Sequence, residues 1–415
     1  MVSPTFNVDN AASRTTHIRS LHIWHFQSGI HMLRDLSWAT FSAGTLAAFV
    51  GFASSFAIVV QGLYGAGANA AEAASGLMAL AVSMGLCAIF LAIKTRMPIS
   101  VAWSTPGAAF LATSAPIEGG FSVAVGAFVI TAVLIILAGL WKPFGRLVSA
   151  IPTPLASAML AGVLLPLCLK PFEAVAQFPW LGLPIILTWA VVSRINRLFA
   201  VPAAVLVAAV LISATFDMSA IQVTSLWSKP VLVTPDFTLA SVIGITLPLF
   251  IITMAGQNIT GIAVLNNFGY RPDAGAMFSW TGLFSLISTP FGGHAVNLAA
   301  ITTAICAGDE AHKDPAKRYW SAIIAGITYI LFGLSAGAAI AFISISPPVL
   351  IAAVAGLALF GALSGSLLSA MSSEADREAA LVTFLVTASG VSFLGIGGVF
   401  WGLLAGGVLY FRNHR

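Results

Sequence analysis

Ser104-Thr105-Pro106-Gly107 interrupts one apolar stretch of this chain, and Ser288-Thr289-Pro290-Phe291-Gly292-Gly293-His294 interrupts another. Proline removes a backbone donor and glycine lets other groups approach the backbone, so both phrases predict a broken helix. A membrane protein tolerates such breaks at depth only where the freed backbone groups are buried in protein or line a cavity. Two breaks in corresponding halves of a chain point to a transporter's binding site. Ordinary proline kinks in packed helices are the alternative interpretation.

The composition assigns the chain to membrane proteins. Its 415 residues are 59% hydrophobic and 8% charged, with a mean hydropathy of +0.98, whereas a soluble globular protein is about 25% charged. Apolar stretches of about 17–25 residues, the length of a membrane-crossing helix, recur from Leu36 to Tyr410. The net charge of +4 comes from basic residues scattered among loops. Nucleic-acid binding is therefore not indicated.

Apolar runs separated by loop signals predict fourteen membrane segments. We number them as spans 1 to 14, and they cover residues 36–61, 72–94, 100–114, 120–141, 150–169, 179–195, 199–216, 238–265, 274–288, 293–307, 317–343, 347–370, 379–393 and 395–411. Spans 3 and 10, of about 15 residues each, are too short for a full crossing. With a cytoplasmic N-terminus, all 18 basic residues except Lys170 and Lys229 fall on the cytoplasmic side, as the positive-inside rule requires. Both termini are therefore predicted to be cytoplasmic.

The polar loop at residues 217–236 divides the spans into two halves of seven. Because seven is odd, the second half must enter the membrane with the opposite orientation, which predicts an inverted repeat. Each half places its Ser-Thr-Pro phrase at the short third span. The predicted fold is an all-α polytopic membrane protein in which spans 3 and 10 are half-helices broken at mid-membrane.

The two breaks favour an anion as the ligand. A helix that begins inside the membrane presents unpaired N–H groups and the positive end of its dipole. Half-helices beginning near Gly107 and Gly293 would direct their N-termini at the midplane from opposite sides, where a carboxylate needs no arginine. The polar residues beside the breaks are Ser104, Thr105, His294 and Asn297. Gln257 and Asn258 in span 8 are either interhelical hydrogen-bond partners or ligand contacts, since a buried amide requires partners.

All fourteen acidic residues lie in tails, loops or span ends. A carboxylate-based cation pathway is therefore not predicted, because intramembrane charges are retained mainly for function. His294 is the histidine that falls inside a span, at the second break. Two roles remain open for it: an imidazole that takes up a proton and pairs with a bound carboxylate, or a neutral side chain bonded to a freed backbone group.

Neither a cofactor nor a metal site is predicted. Cys87, Cys168 and Cys306 occur singly, without metal-ligand spacing, and are interpreted as reduced and structural. Residues 1–35 lack an apolar core and are interpreted as a cytoplasmic N-terminal tail rather than a signal peptide. The tail's four histidines, His17, His22, His25 and His31, are irregularly spaced. Solvated side chains are favoured over metal ligands there.

A longer stretch around the second break resembles a known family. Thr289-Pro290-Phe291-Gly292-Gly293-His294-Ala295-Val296-Asn297-Leu298-Ala299-Ala300-Ile301-Thr302, continuing to Cys306-Ala307-Gly308, is similar to the signature of the benzoate membrane transport (BenE) family. The resemblance covers nearly the whole chain, including residues 98–107 and Gly256-Gln257-Asn258. It implies a bacterial inner-membrane secondary transporter that imports benzoate with a proton.

The architecture is more distantly similar to the nucleobase–ascorbate and sulfate permeases. That resemblance implies a core domain, residues 36–141 and 238–343, and a gate domain, residues 150–216 and 347–411. Nucleobase carriers of this fold place acidic residues in spans 8 and 10, whereas this chain has amides and His294 there. The departure fits an anionic ligand and leaves proton coupling without its usual carboxylate. Relatives of the fold often dimerise through gate domains, so a homodimer is a candidate assembly.

These inferences combine into one hypothesis, a proton-coupled benzoate importer that works by alternating access. The predicted substrate-binding residues are Ser104, Thr105, Gly107, Phe110, Gln257, Asn258, Phe291, Gly292, Gly293, His294 and Asn297, with Phe110 and Phe291 against the ring and His294 coupling the proton. The alternative is a passive anion channel, or a carrier of another small anion or a nucleobase. An enzyme is not predicted, because it would need an embedded nucleophile with a base or a metal cluster. Only His294 could act as a base inside a span, and the sequence contains no HExxH motif.

Overall fold

The computed structural model describes residues 35–114, 119–143, 145, 152–217, 227–393 and 396–414. Apart from Asp35, the predicted N-terminal tail and its four histidines lie outside these residues.

Every predicted span contains a helix. The helices of spans 1 to 7 are Trp38–Ala53 followed by Phe56–Gly65, Ala70–Thr95, Thr105–Thr113, Gly120–Leu140, Thr153–Gln177, Pro179–Ile195 and Arg197–Thr215. Those of spans 8 to 14 are Leu239–Asn267, Ala274–Ser288, Ala300–Ala307, Tyr319–Leu334 followed by Ala336–Ile345, Pro348–Ala370, Arg377–Ala388 and Gly398–Asn413. The prediction of a mostly helical, polytopic chain is confirmed.

Helix length separates full crossings from partial ones. In the described part of the chain, seven helices are long and apolar enough to cross a bilayer. An eighth crossing results if the two helices of span 11, bent by 50°, are counted together. The helices of spans 3 and 10 have only 9 and 8 residues, so the prediction that these two spans are half-helices is confirmed.

Two short antiparallel strand pairs were not predicted. Strand β1, Val101–Trp103, precedes the helix of span 3, and strand β2, Val296–Leu298, precedes the helix of span 10. These two strands pair with each other, with Ala102 opposite Asn297. A second pair, β3 (Ser392–Phe393) with β4 (Ile396–Gly397), precedes the helix of span 14. Spans 3 and 10 therefore consist of a strand followed by a half-helix.

The second Ser-Thr-Pro phrase has a different structural role from the first. Ser104 is the N-cap of half-helix 3, whereas Ser288 ends the helix of span 9. The N–H of Gly293 donates to Ser288 O at 3.1 Å, that of Gly292 donates to Thr289 O at 2.9 Å, and Gly292 has a left-handed φ of 87°. This pattern is a Schellman C-cap. The expectation that half-helix 10 begins near Gly293 is wrong: it begins at Ala300, after β2.

The linker between the repeats is fixed to the ends of several spans. Its described part, residues 227–238, is extended and donates backbone hydrogen bonds from Val231 to Ser75 Oγ (2.9 Å), from Val233 to Pro290 O (2.8 Å) and from Asp236 to Ser122 O (2.9 Å). Spans 2, 4 and 9 are thereby joined at one face of the molecule. The described part of the linker therefore forms a strap across the ends of these spans.

Candidate functional site

The β1–β2 pair fixes the relation between the two half-helices. Half-helix 3 begins at Thr105, two residues after Trp103, and half-helix 10 begins at Ala300, two residues after Leu298. Because the strands are antiparallel, the two helices leave the pair in opposite directions. We call the centre of the strand pair, where Ala102 lies opposite Asn297, the strand crossing. The N-termini of the two half-helices, each equivalent to roughly +0.5 elementary charge, therefore face this point from opposite sides.

Backbone hydrogen bonds at the two ends of the pair repeat the same pattern. The N–H of Ser104 donates to Ala295 O at 2.9 Å, and the N–H of Ala299 donates to Ser100 O at 3.0 Å. Ser104 and Ala299 each follow a strand and are the N-cap residues of the half-helices. The two repeats are therefore related by local pseudo-twofold symmetry at this point, which places the symmetry axis near the strand crossing.

The half-helices differ in how their first turn is capped. Ser104 is fully buried, its Oγ accepts the N–H of Gly107 at 3.3 Å, and it shares a 2.8 Å hydrogen bond with Thr253 Oγ1 of span 8. Ala299 has no side chain that can cap half-helix 10. The first-turn N–H groups of half-helix 10 are thus not capped by the side chain of the N-cap residue.

Spans 1 and 8 support the strand pair with side chains from their irregular midpoints. Asn258 lies in a π-helical turn, Met254–Asn258, and its Oδ1 accepts the N–H of Leu298 at 3.0 Å. At the break between the two helices of span 1, Ser55 Oγ accepts the indole N–H of Trp103 at 2.8 Å. Trp103 and Leu298 are the last residues of the two strands. Ser55 and Asn258 therefore each stabilise the end of one strand, one in each repeat.

The structure separates the adjacent amides of span 8. Asn258 is fully buried, and its Nδ2 lies 3.3 Å from Met254 Sδ, so the side chain braces β2 from within the fold. Gln257 remains partly exposed on a neighbouring face of the same turn. Of the two amides, Gln257 is therefore the better candidate for a ligand contact.

His294 and Asn297 are fully buried beside the strand crossing. His294 Nδ1 accepts the N–H of Ala295 at 2.7 Å, which places the proton of a neutral ring on Nε2. Asn297 Nδ2 donates to Leu298 O at 2.9 Å. Among the described residues, His294 Nε2 and Asn297 Oδ1 are buried polar atoms without a hydrogen-bond partner. Such orphaned atoms are uncommon in native interiors, and they mark this turn as a candidate functional position.

The remaining predicted site residues lie at different depths. Thr105, on the first turn of half-helix 3, is partly exposed, whereas Phe110 is only 2% exposed. Gly107 is buried, and a Cβ there would lie 2.5 Å from Leu249 Cδ1. Phe291, Gly292 and Gly293 belong to the C-cap of span 9, and Phe291 O accepts from Ser75 Oγ at 3.0 Å. Phe110 and the C-cap residues are therefore better placed to shape and support the site than to form an open surface for an aromatic ring.

Sequence reasoning missed the partners that hold the site. Ser55, Ser100, Trp103 and Thr253 all hydrogen-bond near the strand pair. Serine and threonine are common in membrane helices, so their type alone gave no signal. The Phe-Ala-Ser-Ser-Phe sequence at residues 52–56, with two adjacent serines in an apolar span, was a signal that could have been used.

Replacing Ser104 with alanine tests whether its cap shapes the site. We expect the free energy of unfolding to fall by about 1 kcal/mol, because the N-cap is lost. We also expect KM for substrate uptake to rise, since Thr253 and the Gly107 N–H lose their common partner. Ser37→Ala is the matched control, because Ser37 caps the far end of span 1. An equal KM in both variants would reduce Ser104 to a structural cap.

Comparison with known proteins identifies the family. The family model described as benzoate membrane transport protein matches residues 34–411. The chain belongs to the benzoate membrane transport protein family. The family resemblance inferred from the motif is thereby confirmed, and membership makes the chain a membrane transport protein rather than an enzyme.

Two curated relatives align with this chain over almost their whole length. "Inner membrane protein YdcO" of Escherichia coli (strain K12) is 42% identical over 373 residues, which cover 89% of this chain and 95% of that protein. "Benzoate membrane transport protein" of Acinetobacter baylyi is 32% identical over 379 residues, covering 91% of this chain and 96% of that protein.

Solved structures support the fold at much lower identity. The transmembrane domain of the cyanobacterial bicarbonate transporter BicA superposes with a TM-score of 0.59 at 16% identity, covering 90% of this chain and 97% of that domain. SLC26A9 gives a TM-score of 0.56 at 16% identity, covering 99% of this chain and 73% of that protein. The predicted inverted-repeat architecture is confirmed at the level of the fold.

Proposed function

We propose that this chain imports benzoate, or a similar small aromatic carboxylate, together with a proton across the bacterial inner membrane. The carboxylate binds at the N-termini of half-helices 3 and 10, and the core domain moves against the gate domain to carry it across. The name of the Acinetobacter baylyi relative supports benzoate as the substrate, and the name of the Escherichia coli relative supports the inner membrane.

The observation that carries the proposal is the pair of facing half-helix N-termini. Each supplies backbone N–H donors and a partial positive charge, and a carboxylate between them would receive both contributions. In the described part of the chain, the acidic residues lie in loops or at the ends of spans. The site therefore offers an anion favourable dipoles without competing carboxylates.

Arg318 supports the same polarity from the other end of half-helix 10. Its guanidinium donates to Ala307 O, the last residue of the half-helix, at 2.7 Å and forms an ion pair with Asp309. The side chain is only 5% exposed. A cation at a helix C-terminus neutralises the negative end of the dipole. The positive end, at Ala300, is then the one available to a ligand.

Proton coupling is proposed to act through His294. Its Nδ1 holds the Ala295 N–H, and Ala295 O holds the Ser104 N–H, so the ring is two hydrogen bonds away from the cap of half-helix 3. Protonation of Nδ1 would release the Ala295 N–H and change the turn that positions Ser104. In the unprotonated state the ring braces the backbone, so both roles considered for His294 belong to one cycle.

Movement of two rigid bodies is supported by packing within each proposed domain. In the core, spans 2 and 11 pack so closely that a Cβ at Gly326 would lie 2.5 Å from Gly85 O. In the gate, Ser157 of span 5 donates to Ser369 of span 12 at 2.9 Å. Span 5 reaches the core near the site, where Leu160 faces Gly256. This contact is the proposed sliding surface.

The orientation follows from charge placement. With both termini in the cytoplasm, half-helix 3 runs outward and half-helix 10 runs inward from the strand pair, and most basic residues lie on the cytoplasmic side.

A homodimer through gate domains remains part of the proposal on the basis of the fold's relatives alone. Cross-linking of the purified protein in bilayers tests that assembly.

Uptake of radiolabelled benzoate into proteoliposomes, with and without an inward proton gradient, tests the function. We expect saturable uptake that the gradient drives, that unlabelled benzoate inhibits and that a protonophore collapses. Protein-free liposomes control for passive diffusion of the neutral acid. Absence of benzoate uptake, with bicarbonate, sulfate or uracil moving instead, would overturn the substrate. Large unitary currents in planar bilayers would indicate a passive anion channel.

A further inference from the structure

An aromatic cluster surrounds the break in span 1. The ring of Phe52 lies 5.8 Å from that of Phe56, nearly parallel to it, and 5.2 Å and 5.1 Å from the rings of Trp103 and Phe332. Ring centroids 4.5–7 Å apart are within the range of favourable aromatic contacts. The cluster therefore joins span 1 to β1 and span 11 through aromatic faces.

This cluster lies next to the N-terminus of half-helix 3. Trp103 is the last residue of β1 and immediately precedes Ser104, and its indole N–H donates to Ser55 Oγ, beside Phe56. The cluster is thus covalently continuous with the proposed carboxylate site.

The packing register gives the height of Phe56 relative to that site. Along parallel helices, Gly62 lies against Ala108 and Gly65 lies against Leu111. Counting back the same three residues from these contacts places Val59 level with Thr105. Phe56 is then about 4.5 Å, one rise of three residues, before that level. A ring attached to a carboxylate at Thr105 would reach this height.

Exposure distinguishes Phe56 from Phe110 and Trp103. Ser55 and Ala57 are buried, whereas Phe52 and Phe56 are partly exposed, although they lie at the middle of a 28-residue span. The helix that begins at Phe56 packs against span 12 of the proposed gate. Phe110 is 2% exposed and Trp103 is 1% exposed. Phe56 therefore combines a partly exposed ring with a place on the helix that contacts the proposed gate.

We propose that Phe56, backed by Phe52 and Trp103, selects aromatic over aliphatic carboxylates by contact with the substrate ring. The inference rests on the proposed function, since it assigns the ring-binding part of the same site. Half-helix N-termini recognise any carboxylate, so they cannot distinguish a flat arene from a saturated ring of similar size. An offset or edge-on contact with Phe56 favours the arene by about three- to tenfold in affinity. The cluster thus assigns the ring contact to Phe56 in place of the buried Phe110. Phe291 is also partly exposed, but it lies in the C-cap of span 9, outside this cluster.

The test compares two competitors of labelled benzoate uptake by the purified full-length protein in proteoliposomes. Benzoate and cyclohexanecarboxylate carry the same charge and differ in ring aromaticity. We expect wild type to prefer benzoate by about three- to tenfold and Phe56→Leu to bring the ratio of the two inhibition constants close to one. Phe56→Tyr keeps an aromatic ring and should retain the preference.

The matched control is Phe90→Leu. Phe90 also belongs to an aromatic cluster, with its ring 4.4 Å from that of Trp280, but it lies near the C-terminal end of the helix of span 2. This variant should keep the wild-type ratio. Phe56→Met, with an unbranched and flexible side chain that fills irregular space, serves as a second variant if Phe56→Leu does not elute as a folded protein from size-exclusion chromatography.

The outcomes separate the inference from the function on which it rests. An unchanged ratio in both Phe56→Leu and Phe56→Met, with intact benzoate uptake, overturns the role of Phe56 and leaves benzoate transport standing. A wild type that transports benzoate without preferring it over cyclohexanecarboxylate also overturns the inference alone. A wild type that neither binds nor transports benzoate overturns both.

Discussion

Replacing His294 with alanine is expected to abolish pH-driven accumulation of benzoate while exchange of labelled for unlabelled benzoate continues. The side chain is fully buried, its Nδ1 holds the Ala295 N–H, and Ala295 in turn binds Ser104. Removing the imidazole removes the proposed proton-dependent change at this turn. The half-helix N-termini, which bind the carboxylate in the proposal, remain. Exchange needs only binding and movement of the loaded carrier, so it should persist.

The measurement is paired uptake in one batch of proteoliposomes, once with an inward proton gradient and once with benzoate on both sides. His414→Ala is the control, because His414 is exposed at the end of span 14. His294→Asn keeps a polar side chain without a titratable ring. It tests whether a hydrogen bond to the backbone alone restores proton-coupled accumulation. Accumulation that survives in His294→Ala would exclude this residue from the proton pathway.

Replacing Gly326 with valine is expected to lower the free energy of unfolding by about 3 kcal/mol, the upper part of the usual range for overpacking. The atom that a Cβ at Gly326 would meet is the carbonyl oxygen of Gly85, 2.5 Å away, followed by Ile89 Cγ1 at 2.7 Å. Because the first of these is backbone, no rotamer change can remove the clash. Spans 2 and 11 would have to move apart, and with them the packing of the core.

Thermal unfolding in detergent, followed by size-exclusion chromatography or tryptophan fluorescence, measures this effect. Gly361→Val is the matched control, since a Cβ at Gly361, in the helix of span 12, meets no atom within 4 Å. The control should be within about 0.5 kcal/mol of wild type, as is usual for surface substitutions. Equal stability of the two variants would show that spans 2 and 11 are not closely packed, and would weaken the proposal of a rigid core.

Much of the architecture could be predicted because the bilayer acts on each segment separately. A segment must be apolar over its length to cross, and its basic residues must stay on one side, so composition and order alone gave fourteen segments. The structure contains a helix in each of them. Half-helix 3 begins at Thr105, close to the predicted start near Gly107, and Ser104 caps it, because serine before proline at the start of a helix is a local capping signal.

The candidate site could be predicted only in part. The second Ser-Thr-Pro phrase looked equivalent to the first, yet the two glycines after it close a helix at Gly292 instead of opening one. Asn258 and Gln257 are adjacent in sequence, but only the structure shows that Asn258 is committed to Leu298. The ring contact now proposed for Phe56 could not be chosen among 28 phenylalanines without the cluster around Trp103.

The sequence by itself determined the membrane class, the order of the helical segments, the family and the absence of acids from the middle of the spans. These properties follow from local hydrophobicity, charge and motif, which need no partner elsewhere in the chain. The tertiary structure alone decided where half-helix 10 begins and which residues surround the two N-termini. The reason is that β1 and β2 come from opposite repeats. Their pairing precedes the start of half-helix 10, which has no local cap, and such a long-range backbone contact leaves no pattern in either segment alone.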